Sequence, residues 1–348
     1  MKAVKFLGLF FLLLPAFGVF AWSDGRATAD IFIGGREGYP TYRIPALVVS
    51  RQGTVLAFCE GRKTGIADSG NIDLVLKRSF DGGASWGRLQ VIWGRGFVTW
   101  GNPAPVVDRD TGIIWLLFCR NNDRVFVTSS PDDGASWTEP REITSDVKLP
   151  GWGWYATGPG HAIQLASGRL LVPCDHAAGG RYSHVIYSDD HGAGWKLGGV
   201  AAVGTDESMA VETVDGRVYL SMRNGFGRQR RAFAWSDDGG LSWSPTVVDP
   251  ALLDPTCQAS ILRYPAAAGG NDAILFLNPA SDGRNNLAIR VSKDEAQSWS
   301  QPRTLSPGPA AYSDLTILPD RSVGIVYENG RVWPYAKITF TRTMPEGD

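Results

Sequence analysis

From about residue 29 onward the apolar positions fall in short runs, each entered through a turn of glycine, aspartate, asparagine or serine. The pattern recurs at R-Q-G-T-V-L-A-F, T-G-I-I-W-L-L-F, S-G-R-L-L-V-P, D-G-R-V-Y-L-S-M, N-D-A-I-L-F-L-N and D-R-S-V-G-I-V-Y. Short apolar runs bounded by turn residues predict β-strands, here six of one type. Two more stretches, 29–34 (A-D-I-F-I-G) and 335–343 (Y-A-K-I-T-F-T-R-T), also read as strands. Pairing them in one sheet would join the two ends of the chain and protect an edge.

A second repeat runs through the same region. The box Ser-x-Asp-x-Gly-x-x-Trp occurs at 79–86, 130–137, 188–195 and 236–243, and a fifth copy at 292–299 carries Ala296 in the glycine place. The box tryptophans stand about fifty residues apart. Such a period has room for four short strands and their turns, the content of one propeller blade. Six strand units and five boxes predict an all-β fold, a six-bladed β-propeller whose last blade is closed by both chain ends. Within a box the aspartate can accept turn amides, glycine allows positive φ, and tryptophan supplies a large flat surface between units. That makes the box aspartates structural, so chemistry is sought elsewhere.

The opening M-K-A-V-K-F-L-G-L-F-F-L-L-L-P-A-F-G-V-F-A breaks the pattern of short runs. Two lysines, an apolar core and a small-residue end at Ala21 fit a secretory signal, residues 1–21, with a retained anchor as the alternative. The remainder, 22–348, shows no linker or composition shift and reads as one propeller domain. The expected location is secreted or periplasmic, with no membrane association after cleavage. Net charge is −1 with no basic block, which removes the usual driving force for nucleic-acid binding. The four cysteines admit two disulfides or four buried thiols on separate strands, and show no metal-ligand spacing.

Charged residues outside the boxes and set among apolar or small neighbours are few. They are Arg43 in T-Y-R-I-P, then Glu60, Arg62 and Asp68 in C-E-G-R-K-T-G-I-A-D-S-G. Asp206, Glu207, Glu212 and Arg223 follow in T-D-E-S-M-A-V-E through M-R-N, and last come Arg284, Tyr312 and Glu328. The Y-R-I-P stretch, the boxes and the downstream arginines and tyrosine in this order resemble the exo-sialidase (neuraminidase) family, from about residue 38 to 330. The resemblance implies that Arg43, Arg223 and Arg284 bind a substrate carboxylate and that Glu328 orients Arg43. It further implies Asp68 as acid/base, Tyr312 as nucleophile and Glu207 as its partner, with Arg62 at the pocket rim. Glu207 and Glu212 lie five residues apart on one strand and so face opposite ways; the family spacing to Arg223 selects Glu207.

Gln258 in D-P-T-C-Q-A-S is expected to bond sugar hydroxyls, and Trp152 or Trp154 either stacks on a sugar or packs between blades. The resemblance implies an enzyme without cofactor or metal, acting as a monomer on sialylated glycoproteins, glycolipids or oligosaccharides. Three alternatives stay open: a trans-sialidase, a sialic-acid-binding propeller without hydrolysis, and a relative acting on another nonulosonic acid.

Overall fold

The computed structural model describes residues 28–227, 229–265 and 272–343. The segment 1–21 lies outside the described residues. Among those described, no helix is long and apolar enough to cross a membrane. Among the described residues the architecture is β throughout, apart from one helical turn. Strand β1 (Thr28–Ile33) precedes a sheet of β2 (Thr41–Val49), β3 (Val55–Arg62), β4 (Ile72–Ser79) and β5 (Gln90–Trp93). A second sheet holds β6 (Trp100–Val107), β7 (Ile114–Arg120), β8 (Arg124–Ser130) and β9 (Arg141–Glu142). After the turn α1 (Thr144–Val147), β10 (Tyr155–Thr157) and β11 (Ile163–Gln164) both pair with β12 (Leu170–Ala177). Strands β13 (Arg181–Ser188) and β14 (Lys196–Val203) complete that third sheet. The fourth contains β15 (Thr205–Glu212), β16 (Val218–Asn224), β17 (Arg230–Ser236) and β18 (Val247–Leu253).

The remaining strands are β19 (Ser260–Tyr264), β20 (Ala273–Pro279), β21 (Asn285–Ser292), β22 (Arg303–Ile317), β23 (Val323–Asn329) and β24 (Lys337–Thr343). With β1 they form one seven-stranded sheet, in the order β1-β24-β23-β22-β21-β20-β19. Hydrogen bonding therefore gives five sheets, where the sequence predicts six separate blades. The reason is the length of β22: residues 303–309 pair with β21 and residues 310–317 with β23, so one strand serves two ladders. Contacts run from β2 to β6, from β6 to β10 and β11, then through β12, β15, β19 and β22 back to β2. The small sheets thus close into a propeller-like ring. The chain ends meet within it, β1 pairing antiparallel with β24 from Thr28↔Thr341 to Ile33↔Lys337.

The boxes hold the ring from outside the axis. In each, the serine hydroxyl donates to the box aspartate and accepts the amide of Gly83, Gly134, Gly192, Gly240 or Ala296. The box tryptophans reach the neighbouring unit: Trp86 packs on Phe340, Trp137 on Phe58 and Trp195 on Trp115. All four cysteines are buried free thiols.

Candidate active site

Strands β2, β6, β15 and β22 line the axis, and each slips register over a short stretch. The slips fall between Arg43 and Ala46, Gly101 and Ala104, Thr205 and Ser208, and Ala310 and Ser313. A bulge of this kind bends the strand and re-aims side chains. Here the four bulges aim Arg43 and Ile44, Asn102, Asp206 and Glu207, and Tyr312 into one cavity of about 190 Å³. Ile44 takes φ 60° and Asn102 φ 59° at these bulges. Positive φ is costly for a β-branched residue; the Ile44 amide is held there by Glu328 Oε1 at 2.9 Å.

The cavity brings together seven of the predicted residues: Arg43, Arg62, Asp68, Glu207, Arg223, Arg284 and Tyr312. Behind the wall, fully buried Glu328 takes Arg43 two-pronged, Nε to Oε1 at 2.7 Å and Nη2 to Oε2 at 3.3 Å. The same carboxylate accepts the Tyr312 amide at 3.1 Å. Glu328 therefore fixes the first arginine and the tyrosine backbone together. Tyr312 Oη donates to Glu207 Oε1, and Arg223 Nη1 donates to Glu207 Oε2 at 2.8 Å and to Tyr312 Oη at 3.1 Å. The Arg43 and Arg284 guanidinium carbons stand 5.1 and 5.4 Å from the Tyr312 ring centre. Burial pushes the Tyr312 phenol well above its ordinary range and Glu207 adds to the effect, while Arg223 and Arg43 oppose it. The resting phenol is neutral.

Asp68 occupies the cavity mouth with its side chain 67% exposed, 2.8 Å from Arg62 Nη1 and 3.7 Å from Arg43 Nη1. Arg62 departs from its expected place. It is buried in the wall rather than standing at the rim, committed to Glu60 Oε2 and the Ile66 carbonyl as well as to Asp68. Its charge braces the loop that carries Asp68. Gln258 also departs: it is buried outside the cavity, and its amide clamps the Ser313 backbone, donating to the carbonyl and accepting the N–H, both at 3.0 Å. It secures the residue after Tyr312 and has no amide group left for a sugar hydroxyl. Glu212 faces away, accepting the Ala166 amide. Trp154 lines the cavity, whereas Trp152 stacks on His176 at 3.4 Å.

Sequence reasoning missed Asn102, Asn122, Asp175 and Arg181. The last two form an ion pair at 3.1 Å, and Arg181 lies over the Trp154 ring. Burial, then Asp206 and Glu207, raise the Asp175 carboxyl well above the usual range; burial and Glu207 raise Asp206. Burial and mutual repulsion at this end of the cavity thus work against the charged form of these carboxyls, while Arg181 works for it. Only the recurrence of charged residues in apolar strands, as in P-C-D-H, could have flagged it. Away from the cavity, Asp108, Asp110 and His191 approach one another, but the Asp108 oxygens already take Thr111, His191, Gln164 and the Asp110 amide.

Chemically the arrangement can hold a planar anion between three permanent cations. It also sets a hydrogen-bonded phenol beside that anion and an exposed carboxylic group at the opening. A family model described as a BNR repeat-like domain matches residues 53–327. A sialidase of Micromonospora viridifaciens is 38% identical, over 88% of this chain and 53% of that protein, so the chain spans about half its length. An exo-alpha-sialidase of Aspergillus fumigatus is 32% identical, over 84% of this chain and 79% of that protein. Among solved structures, the Hadza microbial sialidase Hz136 superposes with a TM-score of 0.83 at 28% identity, covering 91% of this chain and 68% of that one.

Proposed function

The chain belongs to the sialidase family, and from that premise we propose that it is an exo-α-sialidase, removing terminal sialic acid from glycoconjugates with retained configuration through Tyr312. The observation that carries this reading is the meeting of Arg43, Arg223 and Arg284 around a phenol that is hydrogen-bonded to Glu207. Sialic acid bears a carboxylate on its anomeric carbon. A three-guanidinium site matches that anion in charge and fork geometry.

The same carboxylate accounts for a tyrosine in the attacking position. An aspartate or glutamate would bring a second anion beside it, at a cost of about 4 kcal/mol for 4 Å separation and an effective dielectric near 20. A neutral phenol avoids that repulsion, and tyrosine-dependent sialidases are an established departure from the two-carboxylate scheme of glycosidases. Ionising a free phenol at pH 7 costs roughly 4 kcal/mol, and burial adds to this. Glu207 meets the cost by taking the proton as the Tyr312 oxygen bonds to the anomeric carbon. Arg223, in contact with both, stabilises the charge that develops between them.

Asp68 gives its proton to the departing glycosidic oxygen. It then takes a proton from water, whose oxygen attacks the anomeric carbon; the bond to Tyr312 breaks with its electron pair on the phenol oxygen, which recovers its proton from Glu207. Its exposure at the mouth suits water as the acceptor and supports hydrolysis over transfer to a second sugar. The test is release of 4-methylumbelliferone from its sialic acid conjugate, with proton NMR of the first-formed anomer. Prompt release of the α-anomer is expected. No release overturns the enzyme reading, and β-anomer as first product overturns retention. Sialyllactose product formed in excess lactose would favour the transferase.

A further inference from the structure

Each carboxylate-binding arginine is anchored, but not by the same kind of group. Arg43 is neutralised by Glu328 and Arg223 by Glu207. Arg284 has no carboxylate partner among the described residues. Its Nη1 donates instead to the phenol oxygen of Tyr335 at 2.6 Å. The Tyr335 ring also lies under Arg43, whose guanidinium carbon is 4.1 Å from the ring centre, well inside cation–π range. Tyr335 does not line the cavity. It backs the two arginines from behind, packs against the Ile44–Tyr312 cluster, and is braced edge-on by Trp333 at 5.6 Å.

We propose that Tyr335 is a positioning residue that holds Arg284 and Arg43 in register for the substrate carboxylate while leaving Arg284 its full charge. The inference rests on the sialidase reading. The physical reason for a phenol here is neutrality. A carboxylate in this place would fix Arg284 as well, but would compete with the substrate anion for it and weaken the field at the cavity centre. A purely apolar neighbour would leave a long side chain free to sample other rotamers, and ordering it would then be charged to substrate binding. A neutral oxygen acceptor orders the guanidinium in advance and leaves its remaining N–H groups for the ligand. The carboxylate is present in substrate and transition state alike, so the benefit falls on binding rather than on turnover.

The test is Tyr335→Phe, which keeps the ring beneath Arg43 and removes only the oxygen. Melting temperature, KM and kcat for the umbelliferyl sialoside, and Kd for free N-acetylneuraminate by calorimetry are compared with wild type. The expectation is an unchanged melting temperature, with KM and Kd each raised about tenfold and kcat within about threefold. Tyr335→Glu, which supplies a competing anion, should raise Kd further than Tyr335→Phe. Unaltered KM and Kd in Tyr335→Phe, or a fall in kcat at constant KM, overturns the inference and leaves the functional reading standing. A wild type that neither binds N-acetylneuraminate nor hydrolyses the sialoside overturns that reading itself.

Discussion

At the Tyr312 phenol two demands pull in opposite directions. The buried setting favours the neutral form, whereas the proposed attack requires negative charge to develop on the oxygen. In the proposed reaction Glu207 and Arg223 reconcile them, one as proton acceptor and one as a fixed cation touching both partners. Tyr312→Phe should therefore lower kcat at least about a hundredfold with little change in melting temperature, as the ring and its packing remain. Asp68→Asn makes a different prediction. An aryl leaving group such as umbelliferone departs with little help, while a sugar alkoxide needs its proton. The loss of kcat should be larger on sialyllactose than on the umbelliferyl conjugate, and equal losses would contradict the assigned acid. That these residues gather in one cavity was legible in the sequence because their types, order and neighbours are unusual together. Gln258 and Arg62 were misplaced because sequence fixes the identity of a side chain but not which of two available partners it takes. Asp175, Arg181 and Tyr335 sit in ordinary strand and turn contexts, and only the three-dimensional approach of separate units gives them meaning.

The strands themselves were largely legible from alternation and turn signals, the bulges were not. One inserted residue leaves no compositional trace, yet the bulges of β2, β6, β15 and β22 decide which side chains face the axis. The boxes, by contrast, declare their geometry. Gly83 has φ 91°, and a Cβ there would stand 2.0 Å from the Phe340 ring. Gly83→Ala should destabilise by about 2–4 kcal/mol, combining strain at positive φ with overpacking, measurable as a fall in the denaturant midpoint. In the third sheet, His176 on β12 and His184 on β13 pair through their Nδ1 atoms at 3.0 Å. Burial lowers His176 from 6.5 to about 4 and places His184 well below its usual value; Lys148 faces the first, and Trp152, Tyr155 and Tyr182 surround them. The unfolded chain takes up these protons below pH 6.5, while folded His176 stays neutral until about pH 4 and burial keeps His184 neutral well below its usual value. The pair's contribution is thus complete above pH 6.5 and is lost as pH falls through that window. Asp175 and Asp206, raised in the fold, act with the opposite sign. His176→Gln should accordingly flatten the decline of melting temperature between pH 7 and 4.5, and an unchanged slope would contradict the assignment.

On the scale of the whole molecule, the site exists because the ring is closed. Arg43 belongs to the first sheet after β1, whereas Tyr312 and Glu328 belong to the last and Arg284 to its β20–β21 turn, so the Arg43–Glu328 pair spans 285 residues across the closure. Closure is sustained by the β1–β24 ladder and by Trp86 against Phe340 at 5.2 Å. Phe32 is fully buried at that seam. Phe32→Ala should cost about 3–5 kcal/mol and should raise KM along with it if the two halves of the carboxylate site loosen together. Closure was foreseeable from strand-like stretches at both ends of the repeat region, while the sharing of β22 between two ladders was not. The proposed reaction turns on the Tyr312 oxygen forming the bond to the anomeric carbon of the sugar. A 2,3-difluoro sialic acid, in which fluoride leaves readily from the anomeric carbon and the second fluorine slows the next step, should trap that bond. Peptide mapping by mass spectrometry after brief incubation is predicted to place the sialosyl adduct on Tyr312 and to find none in Tyr312→Phe. An adduct on Glu207 or Asp68 in the wild type would contradict the account.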